Sequence, residues 1–199
     1  MGRVATTSYV DPMSRLVLAL CLLSACGKPM PNNSSTVDAG CAITTEDWPL
    51  EEAAHVAIGT NIMWQSNPPA SGAHFPRWAA FQEYSSPVPR GYWVHDLEHG
   101  AVVLLYNCAA LPEGTDCEPF KQVLRDASAA IPSDGMCAAP VRVRTVITPD
   151  PLIDTPIAAV AWGHVYRAAC PDLTSLTEFA KAHYAQGPEN LCAAGVTSF

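Results

Sequence analysis

The sequence predicts an α+β domain: a small mixed or antiparallel sheet with two helices packed on it, stapled by disulfides. Short apolar runs rich in β-branched residues alternate with two segments whose apolar residues recur at helical spacing. Six cysteines lie downstream of an export-type leader, an even number that reads as disulfides outside the cytosol. The 199 residues are 49% hydrophobic and 15% charged, a globular composition.

Taken in order, the elements begin near Cys41. His55–Trp64, HVAIGTNIMW, alternates loosely and predicts a first strand. It runs into QSNPPASGAHFPRW, where paired prolines and Gly72 exclude helix and central strand, leaving an ordered loop. Ala101–Asn107, AVVLLYN, reads as a buried strand. Asp116 as a cap, Pro119 in a first turn, and Phe120, Val123, Leu124 and Ala127 on one face predict a helix. In VRVRTVIT, residues 141–148, Val141, Val143, Thr145 and Ile147 alternate with Arg142 and Arg144, the period of a half-exposed strand. Ile157–Tyr166 is apolar on both faces and reads as one central strand. Leu173, Leu176, Phe179, Ala180 and Tyr184 form a second helical stripe, opened by Ser175-Leu176-Thr177-Glu178 and closed by Gly187-Pro188.

The start of the chain reads as a leader. Arg15 precedes a short apolar stretch that ends in Leu23-Ser24-Ala25-Cys26, which resembles a bacterial lipobox. That resemblance implies cleavage before Cys26 and lipid on its sulfur, so the membrane partner is reached through acyl chains. Translation from Met13 supplies a compact basic n-region without Asp11. Residues 1–25 are thus expected to be a lipoprotein signal peptide, 26–40 a flexible linker of Pro, Asn, Ser and Gly, and 41–199 a single α+β domain. The location implied is the cell envelope. Gly27 rather than an acid after Cys26 favours the outer membrane by the lipoprotein sorting pattern.

With Cys21 in the leader and Cys26 lipidated, Cys41, Cys108, Cys117, Cys137, Cys170 and Cys192 remain. Cys108 and Cys117 bracket a short Pro- and Gly-containing loop and are the first pair to expect. The absence of any Cys-x-x-Cys argues against a thiolate metal site. The net charge is −8; residues 1–25 carry Arg3, Arg15 and Asp11, a net +1, so the rest carries −9. Nucleic acid is therefore excluded as a natural partner.

The polar candidates lie in Trp93–Val103, WVHDLEHGAVV. His95 and His99, four apart, share a face in a strand or a helix, and Glu98 joins them only in a helix. His95-Asp96-Leu97-Glu98-His99 also matches H-x-x-E-H, the inverted zinc-peptidase pattern, although Gly100 and the strand-like run after it speak against a stable helix there. Ser71 reads as a turn residue, Trp64, Trp78, Trp93 and Trp162 as packing aromatics, Met63 as packing, and His55 and His183 as solvated.

Together, Asn67–His74 (NPPASGAH), Val94–Gly100 (VHDLEHG) and Ala161-Trp162-Gly163 resemble a bacterial family known as domain of unknown function 3105, over roughly Ile58 to Tyr166. The departures are Ala70, where a hydroxyl residue is expected, and His164, where an arginine is. The family implies an exported or membrane-anchored setting and no reaction. Chemistry must come from the residues. His74 on a rigid Pro68-Pro69 loop, with His95 and His99, predicts convergence on one transition metal ion, copper or zinc, with Glu98 or Asp96 as ligand or as the acceptor that fixes an imidazole tautomer. Two alternatives stay open: a structural or interaction module in which the histidines form a hydrogen-bonded plug, and an enzyme, either a zinc-assisted hydrolase with Glu98 as base or a copper redox site.

Overall fold

The computed structural model describes residues 1–2, the backbone of 32–38, and 40–199. Residues 3–25 of the expected leader, including Met13, and Cys26 of the expected lipobox lie outside the described residues. Six strands, β1 (Asn32–Asp38), β2 (Cys41–Asp47), β3 (Val102–Tyr106), β4 (Thr145–Pro149), β5 (Ile157–Ala161) and β6 (His164–Ala168), form one sheet in the order β1-β2-β6-β5-β3-β4. The β3–β4 pair is parallel and the other pairs are antiparallel, so the sheet is mixed. Among the described residues three α-helices accompany it: α1 (Arg90–Glu98), α2 (Glu118–Ala130) and α3 (Leu173–His183). No helix among the described residues is long and apolar enough to cross a membrane.

The period-two alternation of the strands divides the core in two. Val102, Leu104 and Tyr106 of β3, with Ile157 and Ala159 of β5, meet Phe120, Val123, Leu124 and Ala127 of α2 and Leu176, Phe179 and Ala180 of α3. Val103 and Leu105, with Ala158 and Val160, face the other way, against Trp93, Val94 and Leu97 of α1 and the irregular loops. The central strands are apolar on both faces because both faces are covered. Disulfides join Cys41–Cys170, Cys108–Cys117 and Cys137–Cys192, so the pair expected first is formed and all six cysteines are paired.

Several elements differ from expectation. The segment read as linker carries β1, paired along its length with β2. His55–Trp64 is not a strand: a turn closed by Thr60 N–H to Ala57 C=O at 3.0 Å breaks the run, and only a single bridge, His55 to His74, remains. Ile157–Tyr166 is a hairpin rather than one strand, because Gly163, with φ +83°, reverses the chain. The strand of 141–148 is shortened to begin at Thr145, and Arg144 is 1% exposed instead of facing solvent. The third helix, α1, is the opening HDLE segment itself. Eight of its nine residues are buried, so it shows no amphipathic stripe by which periodicity could find it. Gly100, φ +82°, ends the turn: a Cβ there would lie 3.0 Å from the Ala185 backbone, which passes close by and donates to the Gly100 carbonyl at 2.8 Å.

Candidate metal centre

The proline loop delivers His74. Ser66 Oγ accepts from Ala70 N–H, Ser71 Oγ accepts from Glu51 N–H, both at 2.9 Å, and the Gly163 N–H of the hairpin turn donates to Ala70 C=O at 2.8 Å. Ser71 is thus a turn residue, as its context predicts. His74 then bonds into the neighbouring segment, its N–H to Ala54 C=O at 3.0 Å and its C=O from Val56 N–H at 2.8 Å. This brings His55 beside it.

The imidazoles of His55, His74 and His95 lie with centroids 4.6–4.9 Å apart. Their Nε2 atoms surround one oxygen: His74 Nε2 is 3.0 Å from Glu98 Oε2, and His55 and His95 Nε2 are each 4.0 Å from it. His74 Nδ1 lies 2.8 Å from Gly72 C=O and His95 Nδ1 2.6 Å from Phe75 C=O. A carbonyl only accepts, so both Nδ1 atoms carry a proton, and in the neutral ring each Nε2 presents its lone pair to the centre. That is the orientation in which second contacts hold metal-ligating histidines. His74 Nε2 and Glu98 Oε2 are buried and neither has a hydrogen-bond partner. Two acceptors facing each other in a dry site call for a shared cation or proton.

His74, His95 and His99 are all within 3% of complete burial, whereas the His55 side chain is 53% exposed and forms the mouth of the cluster. Burial pushes the His95 imidazole down to about 4, against the partial support of the Phe75 carbonyl, so it is neutral and available as a donor at neutral pH. Burial also lowers His99, with Glu189 opposing. Asp96 is fully buried and held well above the ordinary carboxyl range by desolvation; its Oδ2 accepts from Ala79 N–H at 3.1 Å. It joins neither metal-competent cluster and instead ties down the loop that carries Trp78. The Trp78 ring lies 5.1 Å from His95 and 4.6 Å from His99, walling the site.

Ligand atoms of His55, His74, His95 and Glu98 all fall within 4.8 Å of one another, a group that can hold a metal ion. A tetrahedron with ligands at about 2.0 Å has edges of roughly 3.3 Å, so the 3.0 Å His74–Glu98 separation already fits, while the wider separations must contract by about 0.7–1.5 Å for all four to bind one ion. His99 stands apart from this group and gathers with Glu98 and Glu189 in a second one. The structure thus brings His74, His95 and Glu98 together with His55, and not with His99. His95 and His99 fall in different groups although α1 is a helix, which is not the arrangement the inverted zinc-peptidase pattern requires. His55 is exposed, as expected, but His183 is half-buried, stacks on His164 at 3.9 Å, and is pushed down to about 4 by burial and then by His164. No local signal marks His55 or Glu189; both arrive through contacts distant in sequence.

The fold and site define a disulfide-stapled α+β domain with a buried histidine–carboxylate cluster on one sheet face. The chain belongs to the family described as Protein of unknown function (DUF3105), whose model matches residues 55–194. The matched region contains every member of both clusters. Comparisons with curated proteins and with solved structures gave no match.

Proposed function

We propose that this protein is a lipid-anchored, extracytoplasmic domain that binds one transition metal ion through His55, His74, His95 and Glu98. The observation that carries the reading is the pair of buried, unpartnered atoms, His74 Nε2 and Glu98 Oε2, 3.0 Å apart, with the proton of His74 committed to Gly72 C=O. Three imidazoles and one carboxylate suit zinc or copper(II); thiolate-selected copper(I) is disfavoured because the six cysteines of the folded part are disulfide-bonded. The exposed His55 gives the ion a route from solvent. Export supplies the oxidising setting that three disulfides require, and the Leu23–Cys26 lipobox supplies the anchor.

Protein purified without a histidine tag and reconstituted with zinc or copper is expected to hold metal near-stoichiometrically at this cluster. His74→Ala and His95→Ala should remove it. Wild-type protein that binds neither metal defeats the reading and leaves the histidines as a structural plug. For the anchor, Cys26→Ser should shift the protein out of the membrane fraction or leave it as precursor; unchanged fractionation with normal processing counts against it.

A further inference from the structure

Glu98 belongs to both groups of potential ligands, and its Oε2 is buried without a hydrogen-bond partner. Its neighbour His99 is 1% exposed, and His99 Nδ1 is buried without a partner. Such atoms are costly to bury unless something outside the chain completes them. Glu189 closes the second group, its Oε2 3.3 Å from His99 Nε2.

The second group is held by backbone. Glu98 ends α1 and His99 caps it. The segment after α3 docks onto that helix end: Ala185 N–H donates to Gly100 C=O at 2.8 Å, Glu189 N–H to Glu98 C=O at 3.0 Å, and Leu191 N–H to His99 C=O at 3.1 Å. Arg144 Nη1 joins the two sides, donating to His99 C=O at 2.7 Å and to Asn190 Oδ1 at 2.6 Å. The Cys137–Cys192 disulfide fixes the segment just beyond.

We propose that Glu98 bridges two metal positions, the first held with His55, His74 and His95 and the second with His99 and Glu189; this rests on the reading of the first cluster as a metal site. A carboxylate can give one oxygen to each cation, and bridged pairs of this kind sit about 3.5–4 Å apart. The two positions differ in chemistry. The first is rich in imidazole and selects zinc or copper, while the second, with two carboxylates and one imidazole, is harder and binds a divalent cation more weakly. Glu189 is 52% exposed, so the second ion exchanges with solvent.

The test is a cobalt(II) titration of the disulfide-intact, metal-stripped full chain, with bound ions counted by native mass spectrometry. Wild-type protein is expected to take two equivalents, the second at least tenfold weaker. Glu189→Gln, a change at an exposed loop side chain, should keep the first equivalent at unchanged affinity and lose the second or weaken it a further tenfold. His74→Ala should lose the first. A single equivalent in wild type that His74→Ala removes overturns the bridge and leaves the mononuclear site standing, as do two equivalents indifferent to Glu189→Gln. No bound cobalt overturns both readings.

Discussion

Two buried charges lie within one short stretch of structure, and the fold treats them oppositely. Arg144, 1% exposed, is completed by the chain: its Nε and Nη2 donate to Asp134 Oδ2 at 2.9 and 2.7 Å, and its Nη1 reaches His99 C=O and Asn190. Asp134 is completed in turn by Tyr184 OH at 2.8 Å and Met136 N–H at 2.9 Å; burial would raise its carboxyl, but these bonds and Arg144 outweigh it and hold the group low. Glu98, 7% exposed, has its Oε2 buried without a hydrogen-bond partner and facing the imidazole Nε2 atoms of His74, His95 and His55. A guanidinium–carboxylate pair so completed is architecture. A carboxylate oxygen without a hydrogen-bond donor beside fixed imidazoles is the group that the proposed metal ion would complete.

The largest test of the contrast is to break the completed pair. Asp134→Ala should cost roughly 3–5 kcal/mol in denaturant unfolding, since it strands a buried guanidinium. A loss below about 1 kcal/mol would mean Arg144 does not depend on Asp134. Next comes metal-dependent stability: zinc at free concentrations about 100 times its dissociation constant should add about 2.7 kcal/mol to wild type and nothing to His74→Ala. An equal gain in both places the ion elsewhere.

Glu98→Gln sharpens the contrast most directly. In chelator-treated protein it should change stability by less than about 1 kcal/mol, because the charge it removes has no native donor to lose. The same variant should abolish the zinc gain. If it costs as much as Asp134→Ala without metal, Glu98 is a structural ion and the contrast collapses.

The smallest effect lies on the α2–α3 side of the sheet. His183 has its folded value near 4 against 6.5 for the free side chain, so between those pH values the unfolded chain binds a proton that the fold refuses. Its contribution is fully present above pH 6.5 and is lost as pH falls toward 4. His183→Gln should flatten the pH dependence of the unfolding midpoint in that window. Histidines other than the stacked His164, which titrates together with His183, contribute to both proteins and cancel in the comparison, so superimposable curves would sink the assignment.

Legibility followed the same division. The α2 stripe of Phe120, Val123, Leu124 and Ala127 comprises the buried residues of that helix, and α3 buries Leu176, Phe179 and Ala180 from its predicted stripe. Leu173 is 43% exposed, and the α3 cap is Asp172, accepting Ser175 N–H at 2.8 Å, rather than Ser175. On the other face, α1 hid because a helix buried all round carries no period, and Arg144 hid because alternation assigns a charge to solvent whenever its acceptors are distant in sequence.

The sequence by itself determined the α+β class, the amphipathic helices, the Cys108–Cys117 pair, and the approach of His74 on the proline loop to the HDLEH segment. Those features rest on local periodicity, short loops and residue chemistry, which neighbours along the chain carry. Only tertiary structure decided that His55 joins His74 and His95, that His99 turns instead to Glu189, and that Arg144 is buried. Each depends on backbone hydrogen bonds between segments far apart in the chain, whose pairing no local pattern encodes.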